Sequence, residues 1–343
     1  MYKPKGPSVT PKVVMLTGSA PPEACGVGDY TFALVSALES AGFPVELLYH
    51  KRWDISGTAQ LLRRLSREEG RLLHIQYPTF GYGYSLGPQL CSLTKRCVTT
   101  LHEFSLAHIL RKASLFPFTL RSDRLVMTAE FESRKLTQFM PWAKQKITLI
   151  PIGSNIPSSQ PASIAYAPRV LYHGLVMPGK GLEEWLGLAQ LARDRNTGWE
   201  FVAVGKIPAR HTSYARDLIQ TSRAAAVRWI LDRTDEEVAA QFSQGGIAYL
   251  PFIDGASDRR GSLKTVLAAG LPTITTASEQ TPQNLHSTVL FAPDTEAAFD
   301  CVRRLMQSLE QRRRMAQAAL EYSQLFSWRT IAEAHIRMYE ELL

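Results

Sequence analysis

The most constraining feature of the sequence is a pattern of short apolar runs that alternate with helical segments in both halves of the chain. In the first half, predicted strands at residues 12–18 and 45–49 enclose one helix; in the second, a strand at residues 169–174 precedes a helix that begins at Leu182. Strand–helix–strand units build parallel, doubly wound sheets. A chain of 343 residues has the length of two domains. We predict an α/β fold with two Rossmann-like doubly wound domains facing each other across a cleft.

The boundary between these domains is expected where the pattern stops. Residues 158–167 are rich in Ser, Pro and Ala and have no periodicity. The predicted domains are therefore residues 1–157 and 168–325, followed by a terminal helix over residues 326–343.

Composition narrows the class of protein. The chain is 45% hydrophobic and 20% charged, as ordinary globular proteins are. No stretch approaches the ~18 consecutive apolar residues of a membrane span, and residues 1–12 lack the apolar core of a signal peptide. A cytoplasmic location is expected. The four cysteines form no Cys-x-x-Cys pair, so we expect no metal site.

The formal net charge of +8 favours anionic partners, namely nucleic acid, a diphosphate ligand or an anionic membrane surface. Residues 60–71 and 107–124 both mix basic and apolar side chains. Such segments either lie on the anionic inner face of a membrane or are ordinary exposed helices of a basic protein. We expect no nucleic acid, because the basic residues are dispersed and no recognition module is present.

The clearest binding pattern lies between a predicted strand at residues 246–250 and a helix that is stopped by Gly270. The loop between them carries two aspartates and two arginines: Asp254, Asp258, Arg259 and Arg260. The helix begins at Gly261-Ser262-Leu263, and a helix N-terminus suits a phosphate. The arginines can add charge-assisted contacts to it, and the aspartates can accept hydrogen bonds from sugar hydroxyls. The alternative is a solvated loop with Ser262 as helix cap.

A second phosphate-type loop follows the strand at residues 169–174. In Pro178-Gly179-Lys180-Gly181, a lysine flanked by glycines precedes a helix, which places a mobile charge beside backbone donors. The spacing is not that of a P-loop. The strand at residues 200–205 ends at another glycine, Gly205, which is a further candidate for donor binding.

Three features of the first half are candidates for ligand contacts. Gly26-Val27-Gly28 lacks the third glycine of a dinucleotide fingerprint; it is either a flexible turn that brings amides to a ligand or a helix start capped by Asp29. His102 directly follows the strand at residues 97–101, at the strand end where ligands bind in open α/β sheets, although a lone histidine is often structural. Three tyrosines either stack on acceptor sugars or cover a domain edge: Tyr77, Tyr82 and Tyr84.

These motifs together resemble glycosyltransferase family 4, a family of GT-B fold. The resemblance rests on GVGDYT, TLHEF, YHG…PGKG, DGASDRRGSL…GLP and the closing FSW, and it spans residues 12–343. It implies a retaining, metal-independent transfer of a sugar from a nucleoside-diphosphate donor to a carbohydrate or lipid-linked acceptor, in polysaccharide or glycoconjugate synthesis and without a cofactor. The first domain would be the acceptor side and the second the donor side, with the terminal helix crossing back to the first.

The resemblance also implies roles for individual residues. Lys180, Arg259 or Arg260, and the helix start at residues 261–263 would hold the donor diphosphate, while His102 would contact the donor sugar near the transferred carbon. Asp254 and Asp258 would hold hydroxyls of the sugar or ribose. Gly26, Gly28 and Asp29 would close over the donor.

Two departures from the family pattern leave other functions open. Most members have two glutamates where this chain has Ser257 and Thr265, and many have an arginine where it has Leu175. The missing glutamates leave a non-catalytic sugar- or nucleotide-binding protein as an alternative. A nucleotide-sugar epimerase of the same fold is a second alternative.

Overall fold

The structure is a computed structural model that describes residues 11–21, 25–67, 70–105, 107–154, 162, 163, 165 and 167–343. The predicted boundary at residues 158–167 lies largely outside these described residues. The chain divides into two compact units. Unit 1 comprises Met1–Gly153 with Ser327–Leu343, and unit 2 comprises Ser154–Phe326.

Unit 1 is built on a six-stranded parallel sheet in the order β2-β1-β3-β4-β5-β6. Its strands are β1 Val13–Thr17, β2 Val45–Tyr49, β3 Leu72–Tyr77, β4 Cys97–Leu101, β5 Arg124–Met127 and β6 Ile147–Leu149. Its helices are α1 Gly26–Ser40, α2 Ile55–Arg67, α3 Gly87–Cys91, α4 Ile109–Ser114, α5 Phe116–Arg121, α6 Glu130–Phe139 and the terminal α13 Trp328–Glu340, with 3-10 segments Phe80–Tyr82 and Pro141–Lys146.

Unit 2 repeats the architecture with the strand order β12-β11-β10-β7-β8-β9, again parallel. Its strands are β7 Arg169–Leu175, β8 Glu200–Lys206, β9 Arg228–Leu231, β10 Ile247–Leu250, β11 Thr273–Thr275 and β12 Leu290–Phe291. Its helices are α7 Leu182–Asp194, α8 Thr212–Thr221, α9 Asp235–Ser243, α10 Gly261–Ala268, α11 Thr295–Gln307 and α12 Leu309–Gln324.

Both sheets are covered by helices, which is why their central strands are almost continuously apolar. All five residues of β1 and all four of β10 are buried. In unit 2 the core is centred on Trp185 of α7, which packs edge-on against Tyr172 and Phe201 of the sheet. Each sheet has a switch point where the strand order reverses, between β1 and β3 in unit 1 and between β7 and β10 in unit 2. Ligands bind beside such points in open α/β sheets.

The terminal helix α13 packs on α1 within unit 1. Trp328 contacts the Tyr30 ring at a centroid distance of 5.5 Å. It also lies against Gly153, where an added Cβ would come within 2.7 Å of the indole. The FSW motif therefore places its tryptophan in a space that only a glycine leaves open.

Three other expectations from the sequence concern the cysteines, membrane-spanning helices and the start of the first helix. All four cysteines are buried and free. Among the described helices, none has the length and apolar character that crossing a bilayer requires. The alternative of a helix start capped by Asp29 is wrong: α1 begins at Gly26 with Cys25 as its N-cap, and the Asp29 amide donates to the Cys25 carbonyl at 3.0 Å.

Candidate functional site

A cavity of about 400 Å³ lies at the carboxyl ends of β7 and β8, beside the switch point of unit 2. The first turn of α10, the loop after β7 and one face of α9 complete its wall. Its basic lining residues are Lys180, Lys206, Arg259 and Arg260, and among the described residues one carboxylate, Asp235, lines it as well. A concave, net-positive site at this place in the fold favours an anionic ligand.

The N-terminus of α10 forms one wall. Gly261 and Ser262, its first two residues, both line the cavity. In the described part of the chain, no side chain caps this helix, so Ser262 is not the cap that the alternative interpretation required. Uncapped amides and the positive end of the helix dipole are therefore available to an anion.

Arg260, the N-cap residue, supplies a buried positive charge. Its side chain is 16% exposed and forms an ion pair with Asp254. Its guanidinium lies 4.8 Å from the centroid of the Phe252 ring, and its buried Nε has no hydrogen-bond partner among the described residues. Desolvation lowers the pKa of Arg260. Such a cation gains more from a bound anion than an exposed one does.

Lys180 reaches the same cavity from the loop after β7. Gly181 fixes this loop, because it has a φ of +76° and an added Cβ would lie 1.7 Å from the Pro251 carbonyl oxygen. The Tyr172 hydroxyl donates to the Lys180 carbonyl at 3.3 Å. Desolvation and the charge of Arg260 lower the pKa of Lys180. Two cations that repel each other at a helix N-terminus form a site suited to a diphosphate.

The structure brings six of the predicted donor-site residues together on this cavity: Lys180, Gly205, Arg259, Arg260, Gly261 and Ser262. Gly205 has a packing reason to be glycine, since an added Cβ would lie 2.0 Å from the Gly174 carbonyl oxygen on β7. Thr265 and Leu175, at two positions where family members differ, also line the cavity.

Three predicted donor-site residues of this loop and of α10 do not line the cavity. Asp254 pairs with Arg260, and Leu263 is buried in the core of unit 2. Asp258 accepts a hydrogen bond of 3.3 Å from the Tyr322 hydroxyl of α12. Because none of the three lines the cavity, direct contact of the two aspartates with a sugar or ribose stays a prediction.

In unit 1, His102 lies at the carboxyl end of β4 and is 6% exposed. Its Nε2–H donates to Gln76 Oε1 at 2.9 Å, which leaves Nδ1 as the unprotonated nitrogen. Burial, with a smaller contribution from His335, lowers its pKa to about 3. His102 is therefore a neutral hydrogen-bond acceptor at physiological pH, and its predicted contact with the sugar would be made in that form.

The buried network that orients His102 was not predicted from the sequence. The Gln76 amide approaches His74 Nε2 at 3.3 Å, and His74 in turn bonds to Thr100 Oγ1 at 2.7 Å and to the Tyr339 hydroxyl at 2.5 Å. The sequence does contain one indication of this network: the polar residues His74 and Gln76 lie within a strand that is otherwise apolar and predicted to be buried. Polar side chains in such a strand need partners.

A second cavity, of about 600 Å³, lies at the carboxyl ends of β3 and β4 in unit 1. Tyr77 and Tyr84 line it, with Glu103 and Arg111. Tyr84 is fully exposed, while Tyr77 is buried. Tyr82 does not line it, because it packs between Trp53 and Tyr77 in the core. Only two of the three tyrosines are thus placed to meet a ligand here.

The glycine motif of the first half does not form the predicted flexible turn. Gly26 and Gly28 lie in the first turn of α1 with Asp29. Gly28 packs closely against the segment that follows β1, since an added Cβ would lie 3.1 Å from the Ser19 carbonyl oxygen. Their contact with a donor stays a prediction. Within the described residues, no cluster of three His, Cys, Asp or Glu side chains is arranged to hold a metal ion.

Comparison with solved structures supports the same fold. A glycosyltransferase from Rickettsia africae is similar with a TM-score of 0.73 and 13% identity, over 97% of this chain and 99% of the other. Anabaena HepE in complex with UDP and glucose is similar with a TM-score of 0.65 and 12% identity, over 96% and 100%. The pneumococcal O-GlcNAc transferase GtfA, solved with UDP and GlcNAc, gives 0.57 and 14%, over 83% and 59%.

At these identities the likeness establishes the fold and not the activity. It confirms the predicted α/β class with two Rossmann-like domains of GT-B type. No protein-family model and no curated protein matches the sequence. The narrower resemblance to glycosyltransferase family 4 therefore stays a prediction.

Proposed function

We propose that this protein is a glycosyltransferase that moves a sugar from a nucleoside-diphosphate donor to an acceptor hydroxyl. The observation that carries the proposal is the convergence of Lys180, Arg260 and the uncapped start of α10 on one cavity at the switch point of unit 2. The proteins of similar fold that were solved with UDP and a sugar support a nucleotide-sugar donor.

The chemistry follows from where charge develops. As the bond between the anomeric carbon and the diphosphate oxygen breaks, negative charge accumulates on the leaving diphosphate. Lys180, Arg260 and the α10 amides would stabilise that charge, which is usually the largest catalytic contribution. The acceptor oxygen bonds to the anomeric carbon, and its proton passes to a diphosphate oxygen. No separate base is required, and this chain's cations take the part that a metal ion plays elsewhere.

We also propose that the transfer retains the configuration at the anomeric carbon and needs no metal ion. The acceptor would be a carbohydrate or a lipid-linked sugar, in polysaccharide or glycoconjugate synthesis. A cytoplasmic protein with peripheral contact to an anionic membrane belongs to the same proposal. Tyr84 and Arg111 in the unit 1 cavity are our candidates for acceptor contacts.

The donor site can be tested by thermal unfolding in EDTA with UDP, GDP, ADP and dTDP. A ligand at 100 times its dissociation constant adds about 2.7 kcal/mol of stability. We expect one nucleotide to raise the midpoint, and Lys180→Gln to weaken its binding about tenfold or more, the value of a charge-assisted hydrogen bond. The matched control is Arg193→Gln on the exposed face of α7, which removes one positive charge away from the cavity.

Product analysis then separates the proposal from its alternatives. Incubation of the protein with the matching nucleotide sugar and candidate acceptors should give free nucleotide and a glycosylated acceptor, without added metal. Free nucleotide and an altered monosaccharide, with no need of an acceptor, would establish the epimerase. Nucleotide binding without turnover would establish a binding protein, and no binding of any nucleotide would refute the donor site itself.

A further inference from the structure

The positive groups of the unit 2 cavity are concentrated at the start of α10. Desolvation and the nearby charge of Arg260 both lower the pKa of Lys180, and Arg259 precedes Arg260 in the loop. These cations and the free α10 amides donate hydrogen bonds, as the oxygens of a diphosphate require. The fourth cation, Lys206, is exposed at the end of β8, and its flexible stem can reach more than one part of a ligand.

The groups on α9 and at the end of β7 are of the opposite kind. Asp235, in the first turn of α9, lines the cavity and makes no hydrogen bond or ion pair with any described residue. Burial lowers the pKa of His173 to about 4, while its hydrogen bond to the Val204 carbonyl and the charge of Asp235 act in the opposite direction. Because Nδ1–H makes that hydrogen bond, at 3.3 Å, Nε2 is an unprotonated acceptor. A ligand that fits this part of the cavity must bring O–H or N–H groups to it.

The same face of α9 becomes apolar beyond Asp235. Val238, Ala239 and Phe242 follow at helical spacing and also line the cavity. The Phe242 ring meets the His173 ring edge to face, at a centroid distance of 5.2 Å. An apolar wall with aromatic side chains suits the flat face of a nucleobase. In a nucleotide, the hydroxyls that adjoin the base are those of the ribose.

We propose that Asp235 accepts hydrogen bonds from the ribose hydroxyls of the donor nucleotide and thereby selects ribonucleotides over deoxyribonucleotides. The inference rests on the proposed function, because it adds a contact within the same donor cavity. A carboxylate has two oxygens and can accept from the 2′ and 3′ hydroxyls together. A site built around a hydroxyl rejects the analogue that lacks it, because the carboxylate then loses its partner.

The hydroxyls of the transferred sugar are the alternative partners of Asp235. That sugar is attached at the far end of the diphosphate from the base. Asp235 shares one helix face with the apolar wall, and its charge reaches His173 in the same part of the cavity. The ribose therefore matches this position better than the transferred sugar does.

The test is isothermal titration calorimetry in EDTA with UDP, GDP and ADP, each beside its 2′-deoxy and 3′-deoxy counterparts. We expect the loss of either hydroxyl to weaken binding to the parent protein about tenfold or more, the value of a hydrogen bond to a charged group. In Asp235→Asn the ratio of the deoxy to the ribo dissociation constant should fall below about threefold, because a neutral amide is the weaker acceptor. The ratio is the measured quantity, since removal of a negative charge changes the affinity for the diphosphate equally in both nucleotides.

Two variants serve as controls. Glu236→Gln removes the same charge from the same turn of α9, at an exposed position that does not line the cavity. It should keep the ratio of the parent. Lys180→Gln should weaken ribo- and deoxynucleotides equally, because Lys180 is placed at the diphosphate. Unchanged circular dichroism and thermal midpoints without ligand will show that the variants fold.

Three results would overturn the inference and leave the donor site in place. The first is equal binding of ribo- and deoxynucleotides by the parent protein. The second is a ratio in Asp235→Asn as large as in the parent. The third is an Asp235→Asn protein that binds UDP as the parent does but UDP-glucose more weakly, because Asp235 would then hold the transferred sugar. The absence of binding to any nucleotide would instead refute the proposed function, and the inference with it.

Discussion

Unit 1 buries three histidines whose neutral form the fold requires, and this predicts a steep loss of stability in mild acid. His74, His102 and His335 lie together in its core. Burial lowers the pKa of His102 to about 3 and that of His335 to about 4, and it places that of His74 well below the ordinary value. Below about pH 6.5 the unfolded chain therefore binds protons that the folded unit refuses. The stability that the neutral histidines contribute is complete above that pH, and it is lost as the pH falls toward their pKa values in the folded state.

The magnitude can be worked out for His335. Its Nδ1–H donates to the Ile331 carbonyl at 2.8 Å, and its buried Nε2 has no partner among the described residues. A pKa that falls from 6.5 to about 4 on folding costs about 2 kcal/mol of stability between pH 7 and pH 5. His102, with a pKa of about 3, costs a similar amount, so the two groups together cost about 4 kcal/mol, a large share of the 5–15 kcal/mol that stabilises a domain. Burial of His74 acts in the same direction.

We expect His335→Met to reduce this acid loss by about 2 kcal/mol, because the variant has no proton to bind at that position. The assay is urea unfolding at pH 7 and pH 5, followed by hydrogen exchange of peptides from β3 and α13, which report on unit 1 alone. His286→Gln, at an exposed position of unit 2, is the control and should leave the pH dependence unchanged. An acid loss as large in His335→Met as in the parent would refute the reasoning.

Three further predictions concern unit 2. Gly181→Ala should lower the free energy of unfolding by about 3 kcal/mol or more, because its Cβ would meet the Pro251 oxygen. Gly179→Ala has open space and should lower it by about 1 kcal/mol, through left-handed backbone strain alone. Equal losses for the two variants in urea unfolding would contradict the loop geometry. Lys264 is buried with a pKa lowered to about 8, so the unfolded state binds more protons between pH 8 and 10.5 and parent stability should rise there. Lys264→Met should remove about 2 kcal/mol of that rise between pH 8 and 10, and an unchanged rise would argue against it. Thr234→Ala, which breaks the capping box of α9, should lower the stability of unit 2 by about 1 kcal/mol, and no loss would mean that the cap is dispensable.

The fold class and most of the anion site could be predicted from the sequence because both depend on local patterns. Apolar runs of strand length alternate with helical spacing, and this alternation leads to a doubly wound sheet wherever it occurs. Lys180 and Gly261 follow predicted strands, and the carboxyl ends of parallel strands share one edge of a sheet. The chain order therefore indicated which loops would meet.

Only the tertiary structure decided which partner each side chain takes. Nothing in the sequence distinguishes Asp254 from Asp258, yet Asp254 pairs with Arg260 and Asp258 accepts a hydrogen bond from Tyr322. The residues before α10 also gave no sign that Arg260 would be buried.

The sequence also did not distinguish the packing of α2 from that of α4. Both segments are basic and amphipathic in sequence, but the apolar face of α2 packs into the core and that of α4 does not. Periodicity tells which side chains can be buried together. Whether they are buried depends on the surface that the rest of the chain brings to them, and that surface is set by contacts between residues far apart in the sequence.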